Sequence, residues 1–102
     1  MSDSTSGFEP VALFAVLASP LRWQILQMLK SGETLTASQA AAAVRRDFDG
    51  VSKHLRVLRE AGVLASQPGE DRRHTHYFLP EQFRREPGFL DFGVCRIQLP
   101  KN

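Results

Sequence analysis

VSKHLRVLREAGVL, residues 51 to 64, is the stretch that determines the fold of this 102-residue chain. Its apolar side chains recur at helical spacing and share one side of a helical wheel: Val51, Leu55 and Leu58. The opposite side carries polar side chains: Ser52, Lys53, Arg56 and Glu60. Gly62 follows, and glycine closes a helix readily in the left-handed conformation. We therefore predict an amphipathic helix that ends at a glycine, with an extended run beginning at Val63.

A β-hairpin is predicted directly after this helix. Strand-like residues occupy 63–67 and 75–79, and a charged turn, PGEDRRH at 68–74, separates them. A helix, a glycine stop and two strands around a charged turn are typical of a winged helix-turn-helix. In that fold the exposed helix lies in the major groove of DNA. We call the hairpin, residues 63–79, the wing, and the helix before it the recognition helix.

Two helices are predicted near the start of the chain. The first covers residues 8–17, with Pro10 tolerated in its first turn. The second covers Leu21 to Leu29, because Ser19 is a good capping residue and Pro20 suits the first helical position. Both helices present enough apolar side chains to contribute to a core.

A third helix, Ala37 to Val44, is nearly all alanine, so another helix can approach it closely. Thr36 and Gln39 have the spacing of a capping box, in which each side chain accepts from the other residue's backbone N–H. The link that follows is short, and Asp47 is placed to cap the recognition helix. We interpret the third helix as the positioning helix of a helix-turn-helix.

The C-terminal part is predicted to be β-like over residues 88–99, with Gly93 as a bulge. Its apolar side chains alternate with polar ones and are too many to face water: Leu90, Phe92, Val94, Ile97 and Leu99. We expect this segment and the helix at 8–17 to form a homodimer interface. The predicted fold class is thus mainly α with a β-hairpin wing and an extra C-terminal β-like segment. One domain should span 8–102, preceded by a disordered, Ser-rich tail at 1–7.

Composition excludes several classes of protein. Apolar residues make up 42% of the chain, which is ordinary for a globular domain. The single cysteine, Cys95, excludes an internal disulfide. No apolar run approaches the roughly 20 residues that span a bilayer, and the N-terminus has no signal-type stretch, so we expect a cytoplasmic protein. No nucleophile elbow, phosphate-binding glycine loop or paired acid motif is present, which argues against an enzyme or a bound cofactor.

Residues 17–79 resemble the arsenic-repressor (ArsR-type) winged-helix transcription regulators of prokaryotes. The pieces that carry the resemblance are LASPLRWQILQML, TASQAAAAV, VSKHLRVLREAGVL and HTHYFL. The resemblance implies a homodimeric repressor that binds double-stranded operator DNA and releases it when a small effector binds. By position it places DNA contacts on Phe48, Asp49, Gly50, Ser52, Lys53 and Arg56, and wing contacts on Arg72, Arg73 and His74. We also expect Arg45 and Arg46 to reach phosphates from the turn between the two helices.

The chain also departs from that family. Thr36-Ala37-Ser38 stands where many metal-sensing members have a Cys-x-Cys pair, and Pro87-Gly88 interrupts the long final helix on which others place ligands. No effector is therefore identified, and no metal is expected from the pair His74 and His76 without a carboxylate or thiolate beside it. An alternative is a protein-interaction winged helix without an operator, which the acidic start of the recognition helix and the net charge of only +2 favour. A third hypothesis is a thiol sensor that uses Cys95.

Overall fold

The computed structural model describes residues 7–71 and 73–100. These residues form four helices: α1 (Pro10–Leu17), α2 (Pro20–Met28), α3 (Ala37–Val44) and α4 (Phe48–Glu60). Five strands accompany them: β1 (Thr34–Leu35), β2 (Ala65–Pro68), β3 (Thr75–Phe78), β4 (Phe89–Asp91) and β5 (Arg96–Gln98). A 3-10 turn, Glu81–Phe83, links β3 to β4. The predicted winged helix-turn-helix is confirmed, and α4 is its recognition helix.

The helices begin where the capping residues predict. Ser19 caps α2 with its side chain. At α3 the N–H of Gln39 donates to Oγ1 of Thr36 (3.1 Å), and the N–H of Thr36 donates to Oε1 of Gln39 (2.9 Å). At α4 the N–H of Gly50 donates to Oδ2 of Asp47 (2.8 Å). A cap of this kind stabilises a helix by about 1 kcal/mol, so the sequence fixes where each half of the helix-turn-helix starts.

The core lies where α2, α3 and α4 meet. Val51, Leu55 and Leu58 are each 0% exposed, which confirms the predicted inner face of the recognition helix. On α3 the alanines at positions 40 and 41 are buried, and this helix packs mainly against α4. Burying a leucine or valine side chain contributes about 1.5–3 kcal/mol, so the orientation of α4 about its own axis is strongly determined.

The wing is part of a three-stranded antiparallel sheet in the order β1-β3-β2. Phe78 of β3 lies between Thr34 of β1 and Ala65 of β2. The two-residue strand β1 was not predicted, since it is too short to show an alternating pattern. It connects the sheet directly to the start of α3. Gly62 has a φ of 87°, as the predicted left-handed stop requires.

The C-terminal segment differs from the prediction. It is a hairpin, with Phe89 paired to Gln98 and Asp91 paired to Arg96, rather than one continuous strand. Gly93 lies in the turn with a φ of 88°, so its prediction as a bulge is wrong. The reason is local: Oδ1 of Asp91 accepts from the N–H of Gly93 (2.9 Å), which closes the chain into an Asx-type turn.

The hairpin packs on the chain's own core. Leu90, Phe92 and Leu99 are 0%, 1% and 7% exposed, so the expectation that these three side chains lie in a dimer interface is wrong. Phe92 joins Phe8 and Phe83 in an aromatic cluster with ring centroids 5.1–5.8 Å apart. Offset and edge-to-face aromatic pairs of this kind favour a fixed geometry. The C-terminal hairpin is thereby anchored to the segment that leads into α1.

None of the described helices is both long and apolar enough to cross a membrane by itself. Only α1 and α2 taken together reach the required length and composition, and they are bent by 87° at the break between them. Most of the predicted N-terminal tail, residues 1–6, lies outside the described residues.

Candidate DNA interface

The outer face of α4 is presented to solvent. Lys53 and Arg56 are exposed, and Ser52 is half-buried, on the side of the helix opposite to the buried face. The orientation follows from the core, because turning these cations inward would move three fully buried apolar side chains into water. The recognition helix thus carries its cationic side chains outward, as predicted.

An open groove of about 700 Å³ runs between this face, the start of α3 and the wing. It brings together seven of the predicted contact residues: Phe48, Asp49, Ser52, Lys53, Arg56, Arg73 and His74. Phe48 is 52% exposed, so its ring is available for an apolar contact. The groove is therefore a surface with cations, hydroxyls and one exposed aromatic ring.

Arg45, Arg46 and Gly50 are placed outside the lining of the groove. Arg45 and Arg46 are exposed in the turn between α3 and α4, and neither lines the groove. Gly50 is half-buried beside the Asp47 cap, and a Cβ built on it would lie 3.1 Å from Oδ1 of that residue. The absence of a side chain at this position gives the capping carboxylate its space. Arg72 lies outside the described residues.

The sequence reasoning missed several lining residues: Thr36, Ala37, Ser38, Thr75 and Tyr77. Three of them form the start of α3, where backbone N–H groups and the helix dipole favour anions. The capping box marked this helix start in the sequence, but its closeness to the wing depends on the pairing of β1 with β3. The groove thus has donors on three sides.

The groove contains the positive charges of Lys53, Arg56 and Arg73 and the carboxylate of Asp49. Among the described residues the ion pairs are His74–Asp71 (2.8 Å) and Arg96–Glu86 (2.7 Å). Neither pair involves Lys53 or Arg56, so their charges are not neutralised by a described carboxylate. Hydrogen bonds from the His74 side chain and the Arg73 backbone lower the pKa of Asp71, which keeps the wing turn's carboxylate ionised.

The turn between the helices is held in an unusual conformation. Arg45 has a φ of 59° and a ψ of 46°, the only left-handed residue other than glycine among those described. The N–H groups of Arg45 and Arg46 both donate to the carbonyl of Ala41 and close the end of α3. A side chain in the left-handed region costs of order 1–3 kcal/mol. Glycine at position 45 would therefore relieve the backbone strain that the arginine side chain causes.

The other titratable residues considered from the sequence lie apart from a ligand site. His54 accepts a hydrogen bond from Nε of Arg22 (3.0 Å), which ties it to α2. Within residues 7–71 and 73–100 no three His, Cys, Asp or Glu side chains are grouped to hold a metal ion. Cys95 is half-buried, and burial and the nearby Asp91 charge raise the pKa of its thiol.

Comparison with known proteins identifies the family. A family model described as a helix-turn-helix domain matches residues 17–67. The chain is similar to a solved structure described as a "possible transcriptional regulator for arsenical resistance", with 35% identity and a TM-score of 0.59 over 68% of this chain and 69% of that one. No curated protein sequence matches the chain.

Two further solved structures share the fold. The chain is similar to AntR, an antimony-specific transcriptional repressor, with 29% identity and a TM-score of 0.60 over 78% of this chain and 68% of that one. It is also similar to a homodimeric winged helix-turn-helix DNA-binding domain, Mb0332 of Mycobacterium bovis, with 22% identity and a TM-score of 0.65 over 74% of this chain and 68% of that one. AntR is a transcriptional repressor, and the other two structures are described as possible transcriptional regulators. The chain belongs to the ArsR-like winged helix-turn-helix family of DNA-binding transcription regulators.

Proposed function

We propose that this regulator binds operator DNA as a homodimer, with α4 in the major groove and the wing against the adjacent backbone. The observation that carries the proposal is the outward pair Lys53 and Arg56 in a groove that continues to the wing cation Arg73. No described carboxylate pairs with any of the three. Cations presented in this way attract phosphates and release their counterions.

The side chains of the groove suit two kinds of contact, one with phosphates and one with the edges of bases. Lys53 and Arg56 are long donors that reach phosphates or the acceptor edge of guanine. The exposed ring of Phe48, at the start of the helix, suits an apolar contact with a thymine methyl group. Ser52 donates to either kind of acceptor, and Asp49 accepts from a cytosine amino group.

Phosphate contacts complete the interface on both sides of α4. Arg45 and Arg46 reach the backbone from the turn, and Arg72, Arg73 and His74 reach it from the wing. Gly50 has no side chain beside the Asp47 cap, so the start of the helix can approach DNA closely. Together with the five groove residues above, these are the proposed contact residues.

Helix α1 supports the homodimer. Val11 and Phe14 are 72% and 49% exposed and lie three residues apart, so they share one face of the helix. Only Leu13 of this apolar helix is buried. A second copy that covers this face removes it from water, and the related Mb0332 domain is homodimeric. Of the C-terminal hairpin, Val94 and the half-buried Ile97 remain available to join the interface.

We further infer repression as the mode of regulation, since AntR, which shares the fold and 29% identity, is a repressor. Two copies present their α4 helices to half-sites about 34 Å apart, one turn of the double helix. Bound there, the dimer blocks access to the DNA it covers. A DNA-binding regulator of this kind acts in the cytoplasm, where its operator is.

The experiment that tests the proposal is selection of bound fragments from sheared genomic DNA, followed by fluorescence anisotropy on the recovered site. We expect a pseudo-palindromic site and an affinity that falls steeply with salt. If no genomic fragment shows salt-sensitive binding, the proposal is wrong, and the alternative of a protein-interaction module without an operator is favoured.

A further inference from the structure

A second cleft, of about 770 Å³, lies between the end of α2 and the C-terminal hairpin and shares no lining residue with the groove beside α4. Its walls combine apolar side chains with two cations: Pro87, Phe89 and Leu99 with Lys30 and Arg84. Clefts of roughly 300–1,000 Å³ with mostly apolar walls and a few placed polar groups are typical small-ligand sites. The cleft exists because the final segment forms a hairpin.

Arg84 is held in place from two sides. Its Nε donates to the carbonyl of Leu79 (2.8 Å), at the end of the wing sheet. Its guanidinium lies against the backbone of Gly32, where a Cβ would stand 3.0 Å from Nη1 and 3.2 Å from Nη2. An arginine oriented in this way loses little further entropy when it binds a ligand.

The charges at the cleft are unbalanced in favour of an anion. Among the described residues, no carboxylate lies within ion-pair distance of Lys30 or Arg84. The acidic group of the lining, Glu86, is already paired with Arg96 (2.7 Å). The Arg96 guanidinium also stacks over the Phe89 ring, 4.5 Å from its centroid, which fixes that ring in the cleft wall.

We propose that this cleft binds a small organic carboxylate with an apolar body. The carboxylate of the ligand lies between Lys30 and Arg84. The two terminal nitrogens of Arg84 match the two carboxylate oxygens. The apolar body packs against Phe89 and Leu99, which are half-buried and buried, respectively. Because the two sites share no lining residue, a ligand bound here does not occupy the surface proposed to contact DNA.

The test uses the full chain and 1-naphthoate as the probe, followed by two-dimensional amide NMR. We expect saturable shifts at Ser31, Gly88 and Phe89, and no saturable shifts with the uncharged methyl ester. Lys30→Gln and Arg84→Gln should each weaken binding about tenfold, the loss expected of one charge-assisted contact. Arg85→Gln removes the same charge from an exposed neighbour outside the cleft and should leave binding within about twofold.

Several outcomes would overturn the proposal. Shifts that do not saturate in the millimolar range, or that map outside the cleft, exclude a site there. Equal binding of the methyl ester excludes recognition of the carboxylate. Equal weakening by Arg85→Gln assigns the effect to net charge. Since Arg84 also contacts Leu79, Lys30→Gln decides the matter if Arg84→Gln fails to fold.

Discussion

Nε of Arg22 donates a hydrogen bond to Nδ1 of His54 across 3.0 Å and so ties α2 to the middle of the recognition helix. The bond requires an unprotonated Nδ1, which places the imidazole proton on Nε2. Burial, and next the positive charge of Arg22, lower the pKa of His54. The same guanidinium also donates through Nη1 to the carbonyl of Val16 (3.0 Å), so it is fixed near the end of α1.

We predict that protonation of His54 destabilises the protein. Its folded-state pKa lies below the unfolded value of about 6.5. The stability that neutral His54 gives to the folded protein is therefore fully present above the unfolded-state pKa. This stability is lost as the pH falls from the unfolded-state pKa to the folded-state pKa. Urea unfolding between about pH 7.5 and about pH 5.5 should show the loss.

His54→Asn is the matched control for this prediction. The asparagine amide oxygen can accept the same hydrogen bond, but it does not titrate. The free energy of unfolding of the variant should therefore depend less on pH over this range. Identical pH profiles for the two proteins would contradict the assignment.

Lys53→Ala and Arg56→Ala should each weaken operator binding. Loss of one phosphate contact lowers the slope of log K against log salt by about 0.9, and loss of a base contact costs about 1–3 kcal/mol. Anisotropy titrations at several salt concentrations measure both quantities. Arg85→Ala removes an exposed positive charge outside the groove and is the control. An unchanged titration for both groove variants would show that α4 does not contact DNA.

The accuracy of the sequence predictions depends on how local the determining interactions are. The recognition helix was predictable because its buried and exposed faces follow one period, and because Asp47 and Gly62 mark its ends. Caps and turns act within three residues, so they also appear in the sequence. The four predicted helices agree with the structure to within two residues at their ends.

The parts that were missed depend on contacts distant in the chain. Strand β1 has two residues and exists because Thr34 and Leu35 pair with the wing. The groove beside α4 includes the start of α3 for the same reason. The alternating tail predicted one β-like segment, whereas the chain forms two short paired strands. Nothing local showed that Leu90 and Phe92 pack on the core instead of on a second copy.

Replacing Arg45 by glycine should separate stability from DNA binding. The left-handed backbone at this position is unfavourable for a side chain, so Arg45→Gly should leave the free energy of unfolding unchanged or raise it by up to about 1 kcal/mol. Arg45→Val, which is β-branched, should lower it by at least about 1 kcal/mol. Both variants lose the proposed phosphate contact, so operator affinity should fall equally. Denaturant titration and anisotropy provide the two readouts.

Cys95 should react slowly with iodoacetamide. The thiolate is the reactive form, and burial and the Asp91 charge raise the pKa of this thiol. At about pH 8 the folded protein should be alkylated more slowly than the same chain in urea. Asp91→Asn removes the negative charge near the thiol and keeps the side-chain oxygen that accepts from the N–H of Gly93. This variant should therefore be alkylated faster than the wild type. Reaction of the folded protein as fast as in urea would support the thiol-sensor hypothesis instead.

Phe14→Ser should weaken the proposed homodimer. The ring is 49% exposed on α1 beside Val11, and burying it against a second copy contributes about 1.5–3 kcal/mol. The dimer dissociation constant should therefore rise by at least about tenfold, as measured by sedimentation at tens of micromolar. Phe14→Leu keeps an apolar side chain and should remain largely dimeric. A wild-type protein that sediments as a monomer, or a serine variant as dimeric as the wild type, would show that α1 is not the interface.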